Sequence, residues 1–146
     1  MEKKKLKIGY TCAVCDLFHV GHLNLFERCK TKCDYLIVGV CDDEYVRKVK
    51  GKEPVINEVD RARIIGALKV VDEVAIVDTE ISIDKVLAHK KFGFDVIFAG
   101  DDWKGSERFI ETEKALKDAG LDVEIVFFPY TQSVSTTMLR EKLKKS

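Results

Sequence analysis

The sequence predicts one doubly wound α/β domain over residues 1–146, built on a five-stranded parallel sheet. Three observations carry that prediction. Short apolar runs alternate with segments of helical periodicity, as happens where helices cross over between parallel strands. Two of the runs, at 35–41 and 96–99, are apolar without interruption, the pattern of strands covered on both faces. No repeat, low-complexity stretch or Pro/Ser-rich linker divides the chain, whose length suits one core and not two.

The five strands are expected at Leu6 to Val14, Tyr35 to Cys41, Val74 to Val77, Val96 to Ala99 and Val123 to Phe128. Between the first two, His22, Leu25, Phe26, Cys29 and Cys33 recur at three- and four-residue steps and make one helical stripe for packing on the sheet. The loop from Lys50 to Pro54 leads to a helix beginning near Glu58, with Ile64, Ile65 and Leu68 on its inner face. Asp84 to Lys91 forms the next helix. Ser106 to Ala119 forms another, opened by a capping Ser106 and closed at Gly120, and a last helix starts at Ser135 or Thr136. In such a fold the ligand lies beyond the carboxyl ends of the strands where the strand order reverses, here after strands one and four.

Composition narrows the function before any motif is read. Hydrophobic residues make up 46% and charged residues 34%, enough for a real core, which excludes a disordered or fibrous chain. Lys and Arg number 25 against 25 Asp and Glu, so no general attraction toward nucleic acid or an anionic membrane exists and any anion site must be local. The basic start at Lys3-Lys4-Lys5 lacks the apolar run of an export signal, and no run approaches the ~20 residues of a spanning helix. The expectation is a cytoplasmic protein. Its five cysteines (12, 15, 29, 33 and 41) are then reduced thiols. Cys12-x-x-Cys15 followed by Cys29-x-x-x-Cys33 has spacing open to zinc or redox use, but strand alternation and the buried stripe make small buried hydrophobes the simpler account. No metal ligand is assigned.

Chemistry collects at four places. After strand one stands Asp16-Leu17-Phe18-His19-Val20-Gly21-His22, two imidazoles three residues apart at the positive end of a helix, suited to an anion whose charge grows during reaction. Gly21 allows close backbone approach. Lys48 and Lys50 follow strand two, in a basic run that would otherwise read as a solvated face. Gly100-Asp101-Asp102-Trp103 follows strand four, and Val134-Ser135-Thr136-Thr137 opens the last helix with hydroxyls and free N–H groups.

These blocks, with Lys50-Gly51, Pro54-Val55, Arg61 and Val71-Asp72-Glu73-Val74 in the same order, resemble the cytidylyltransferases of the HIGH-motif nucleotidyltransferase superfamily. The small glycerol-3-phosphate enzymes are the most similar branch, favoured by Trp103; the choline- and ethanolamine-phosphate enzymes follow. The resemblance implies a Rossmann-like fold and direct transfer, in which an acceptor phosphate oxygen attacks the α-phosphorus of CTP and pyrophosphate leaves. It implies His19, His22 and Lys50 as catalytic residues. Val14, Cys15, His19, His22, Lys50, Arg61, Asp101, Thr131, Ser135 and Thr136 are the implied nucleotide contacts, with Asp101 taking the exocyclic amine of cytosine. Lys48 and Lys85 fall to the acceptor, a small phosphorylated alcohol. Mg2+ comes with CTP, and a homodimer is implied.

The sequence departs from that family at three points. Tyr130 stands where an arginine would grip phosphate bidentately, Ser133 where a glycine would shape the loop, and Cys15 where an aromatic residue is usual. These departures bear on the acceptor more than on the reaction. Adenylyl transfer to a flavin nucleotide, and a non-catalytic phosphate-binding or metal-binding module, are the competing readings.

Overall fold

The computed structural model describes residues 5–100, 105–129 and 136–145. Five parallel strands, β1 (Ile8–Ala13), β2 (Tyr35–Cys41), β3 (Glu73–Val77), β4 (Val96–Gly100) and β5 (Glu124–Phe128), form one sheet in the order β3-β2-β1-β4-β5. The strand order reverses between β1 and β4, which is the switch point the sequence anticipates. Each expected strand is present within two residues at either end.

Period-two alternation divides the core between the two faces of the sheet. Leu36, Val38 and Val40 of β2, with Val96 and Phe98 of β4, pack one way; Ile37 and Ile97 pack the other, with Tyr10. On the first face lie α1 (Val20–Lys30), through Phe26 and Cys29, and α3 (Glu58–Gly66), through Ala62 and Ile65. The second face meets α4 (Thr79–Ile83) through Ile81 and α5 (Lys85–Phe92) through Ala88. Phe109 of α6 (Glu107–Asp118) makes an edge contact with Phe127 of β5, and α7 (Thr136–Lys145) ends the chain.

Caps set the helix ends. Asn57, Asp78, Asp84 and Ser106 each accept a backbone N–H of the first turn that follows. Gly120, at φ 73°, closes α6 in a Schellman arrangement: its N–H bonds to Lys117 and that of Leu121 to Leu116. Three details differ from the periodicity. Cys33 lies beyond the end of α1, its Sγ bonded back to the Cys29 carbonyl; Ile64 is 39% exposed while its neighbour Ile65 is buried; and α4 is an additional helix. A short helix α2 (Asp43–Tyr45) also runs into a π-helical turn at Val46–Lys50, in the segment the sequence left without structure.

Candidate active site

A cleft of about 450 Å3 opens at the carboxyl ends of β1 and β4. The chain leaves β1 through a strained turn, since Cys15 and Leu17 have φ of 57° and 53°, a region that side chains other than glycine seldom adopt. That turn delivers Phe18, His19 and His22 to the start of α1. His19 is the N-cap: its Nδ1 accepts the Gly21 N–H at 3.0 Å, while His22 Nδ1 accepts the His19 N–H at 3.1 Å. The two histidines thus form a reciprocal capping box, a role normally filled by Ser or Thr with Glu. The Gly21 N–H is thereby spent inside the protein.

The box also sets the histidine chemistry. An Nδ1 that accepts a hydrogen bond carries no hydrogen, so each neutral ring bears its N–H on Nε2. Both rings line the cleft, with centroids 4.0 Å apart. Burial lowers the pKa of His19, and that of His22 falls to about 4 through burial and then the charge of His19, against an opposing pull from Asp16. At neutral pH the pair consists of two uncharged N–H donors. Phe18 stacks on His22 at 5.5 Å and supports the second ring.

Charge around the cleft is one-sided. Arg28, Lys50, Lys52, Lys85, Arg108 and Arg140 line it, with Asp16 the one carboxylate among its described lining residues. The cleft is a local concentration of positive charge in a chain of zero formal charge. Lys50 reaches it from the end of the π turn, which stops at Gly51 with φ 67°. Lys85 lies across the cleft and donates to the Ser82 carbonyl at 2.6 Å. Val14 and Cys15 line the floor, where Cys15 is 3% exposed and burial pushes its thiol up to about 12.

Two expected contacts lie elsewhere. Lys48 is absent from the cleft lining and pairs with Glu44 at 2.5 Å on the surface, because two steps along a helical turn separate it from the face of Lys50. Arg61 is buried beneath the cleft, not in it. Its Nε donates to the Ile56 carbonyl, Nη1 to the carbonyls of Val14 and Cys41, and Nη2 to Asp43, all between 2.6 and 2.8 Å. That arginine shapes the ends of β1 and β2 from below. Asp101, Tyr130, Thr131, Ser133 and Ser135 lie outside the described residues, as does the side chain of Thr136. Sequence reasoning missed Arg28, Lys52, Arg108 and Arg140. Of these, Arg28 was the most accessible, being two turns along the helix that His22 opens.

A family model described as cytidylyltransferase-like matches residues 10–142. Among curated proteins, the FAD synthase of Thermococcus onnurineus is 37% identical over 129 residues, which are 88% of this chain and 83% of that one. The FAD synthase of Pyrococcus abyssi is 38% identical over 80% of this chain and 76% of its own. The bifunctional protein HldE of Hyphomonas neptunium is 35% identical over 92% of this chain, which spans only 26% of HldE. Among solved structures, a lipopolysaccharide core biosynthesis protein from Thermoplasma volcanium superposes with a TM-score of 0.77 at 27% identity, over 88% of this chain and all of the other. These relatives do not bear the name of the glycerol-3-phosphate enzymes that the motifs resemble.

Proposed function

Because the chain belongs to the cytidylyltransferase-like family and is a nucleotidyltransferase, we propose that it transfers a cytidylyl group from CTP to a phosphorylated alcohol, with glycerol 3-phosphate the foremost acceptor. The observation that carries the reaction class is the histidine pair: two neutral Nε2–H donors on the cleft wall, backed by the N-terminus of α1 and ringed by cations. An acceptor phosphate oxygen attacks the α-phosphorus; that P–O bond forms as the bond to the bridging oxygen breaks, and pyrophosphate carries the charge away. His19 and His22 donate to the oxygens on which charge accumulates, and Lys50 neutralises the triphosphate. Mg2+ arrives with the nucleotide as part of the substrate, and Lys85 faces the acceptor phosphate. Cytosine is chosen on the family resemblance, with Asp101 in Gly100-Asp101-Asp102-Trp103 as its proposed base contact, a carboxylate that would accept an exocyclic amine, which adenine carries as well. The working unit is proposed to be a homodimer, which sedimentation at micromolar concentration tests.

A second reading is adenylyl transfer to a flavin nucleotide. The FAD synthases at 37–38% identity favour it, as does the apolar part of the cleft lining at Val46, Phe98, Phe109 and Phe128. Pyrophosphate release separates the two. The assay pairs CTP or ATP, each with Mg2+, with glycerol 3-phosphate, choline phosphate, ethanolamine phosphate, a sugar phosphate and FMN. Turnover with CTP and a phosphoalcohol is expected; turnover restricted to ATP and FMN would overturn the cytidylyl assignment and leave the reaction class intact.

A further inference from the structure

The cysteine pair suggested by sequence spacing does not meet in space. Cys15 is buried in the core of the first face, whereas Cys12 points to the opposite face and toward Cys41 at the end of β2. Their sulfurs are 3.4 Å apart, hydrogen-bond distance for thiols. In the strand register Cys12 stands opposite Gly39, so Cys41 is the next residue of β2 on the same face. Cys12 is partly exposed and both cysteines line the cleft. Two buried hydroxyls, Tyr10 from β1 and Ser82 from α4, end at this cluster, and neither meets hydrogen-bond geometry with a partner among the described residues. Lys85 of α5 supplies a positive charge beside them.

We propose that Cys12 and Cys41 form a hydroperoxide-reactive dithiol site in the wall of the cleft, with Cys12 the attacking thiol and Cys41 the resolving one. A redox-active cysteine needs thiolate character, access and a neighbouring thiol, and this pair combines all three. The hydrogen bond from the Cys41 thiol, and then the ammonium of Lys85, lower the Cys12 pKa against the effect of burial, while Cys41 moves upward as the proton's holder. The thiols of Cys15, Cys29 and Cys33 all move upward through burial. Cys12 is therefore the thiol of the five whose ionisation the fold favours, and it is the more exposed member of its pair.

The step balances without a further reactant. Cys12 Sγ attacks one oxygen of hydrogen peroxide, an S–O bond forms as the O–O bond breaks, and the departing hydroxide takes up a proton as water. Cys41 Sγ then attacks the sulfenic sulfur, the S–S bond forms, the S–O bond breaks, and a second water leaves with the thiol's proton. Sulfur is oxidised and peroxide reduced, two thiols and one peroxide giving one disulfide and two waters. Closing 3.4 Å to the ~2.05 Å of a disulfide also draws the ends of β1 and β2 together, because Cys12 stands level with Gly39, two residues before Cys41.

The test is mass spectrometry on the folded, fully reduced chain exposed to hydrogen peroxide at pH 7. The wild type is expected to lose two hydrogens in a peptide pair joining Cys12 to Cys41, reversibly with dithiothreitol. Cys41→Ala should instead gain one oxygen at Cys12, trapped by dimedone, and Cys12→Ser should show neither change at that dose. Alkylation by iodoacetamide at pH 7 should be at least about fivefold faster at Cys12 than at Cys33. The midpoint of its pH dependence should lie below that of an ordinary thiol in the wild type and should move upward in Cys41→Ala. Oxidation that starts at another cysteine, an alkylation midpoint near 9 in the wild type, or a pairing that excludes Cys41 would overturn the proposal. None of these readouts depends on which substrate the cleft takes.

Discussion

Arg140 of α7 donates from Nη2 to Asp16 Oδ2 at 2.5 Å, joining positions 124 residues apart. The same carboxylate accepts the backbone N–H groups of Val55 and Ile56, each at 2.9 Å. Asp16 is 3% exposed, so one buried charge ties the turn after β1, the loop before α3 and the last helix into a single wall of the cleft. Replacing Asp16 with Ala leaves two amides and a guanidinium without that acceptor. The expected loss is about 2–4 kcal/mol in urea denaturation. A change under 0.5 kcal/mol would show that the clamp contributes nothing.

Arg61 should behave as a structural cation. Four protein oxygens occupy its guanidinium, and its side chain has no exposure. Arg61→Ala is expected to destabilise by about 3–5 kcal/mol, because the carbonyls of Val14 and Cys41 lose their donor and Asp43 its partner. Arg61→Lys should recover only part of this, since one ammonium cannot span the four acceptors. Equilibrium denaturation of the two variants checks the order.

His19 carries a cap on one nitrogen and a cleft donor on the other, and two substitutions separate these. Asn places an oxygen near the position of Nδ1 and retains the cap while removing the Nε2 donor. His19→Asn should therefore lose about 10²–10³ in kcat, with stability within about 1 kcal/mol of the parent. Near-normal turnover in a folded His19→Asn protein would remove the histidine from catalysis.

The depressed pKa of His22 makes a prediction about acid. In the fold the ring stays neutral down to about 4, whereas an unfolded histidine protonates near 6.5. Between those values the unfolded chain binds more protons, so stability rises with pH there. The stability present above about 6.5 should be lost as pH falls toward 4, by roughly 1–3 kcal/mol. His22→Asn keeps an acceptor for the His19 amide and should flatten that slope, as measured by urea titrations from pH 7 to 4.5.

Gly9 is required by close packing. A Cβ there would lie 2.6 Å from Phe98 Cε2 and 2.7 Å from Cys33 Sγ, both on the first face. Gly9→Ala is expected to cost about 1–3 kcal/mol through forced displacement of that ring, read as a lowered thermal midpoint. No loss would mean that Phe98 relaxes without penalty.

Legible in one dimension were the five strands, most of the helices and the end of the sheet where chemistry collects. These depend on local quantities: alternation, helical period, capping residues and apolar run length. The histidine motif was equally plain, because its spacing and its place after a strand are local too. Arg61 reads from its motif as a nucleotide contact, but sequence cannot show that its guanidinium is already bonded to four oxygens of its own chain. Lys48 and Lys50, two residues apart on one helical turn, face different ways, and only the placement of that turn beside the cleft decides which of them lines it. The short helices on either side of β3 went unseen because three to five residues carry too little periodicity to register. Arg28, Arg108 and Arg140 come from three different helices, and the pairing of Cys12 with Cys41 from two strands. Such meetings depend on which strands become neighbours, an outcome set by long-range packing of the whole sheet that no window of sequence contains.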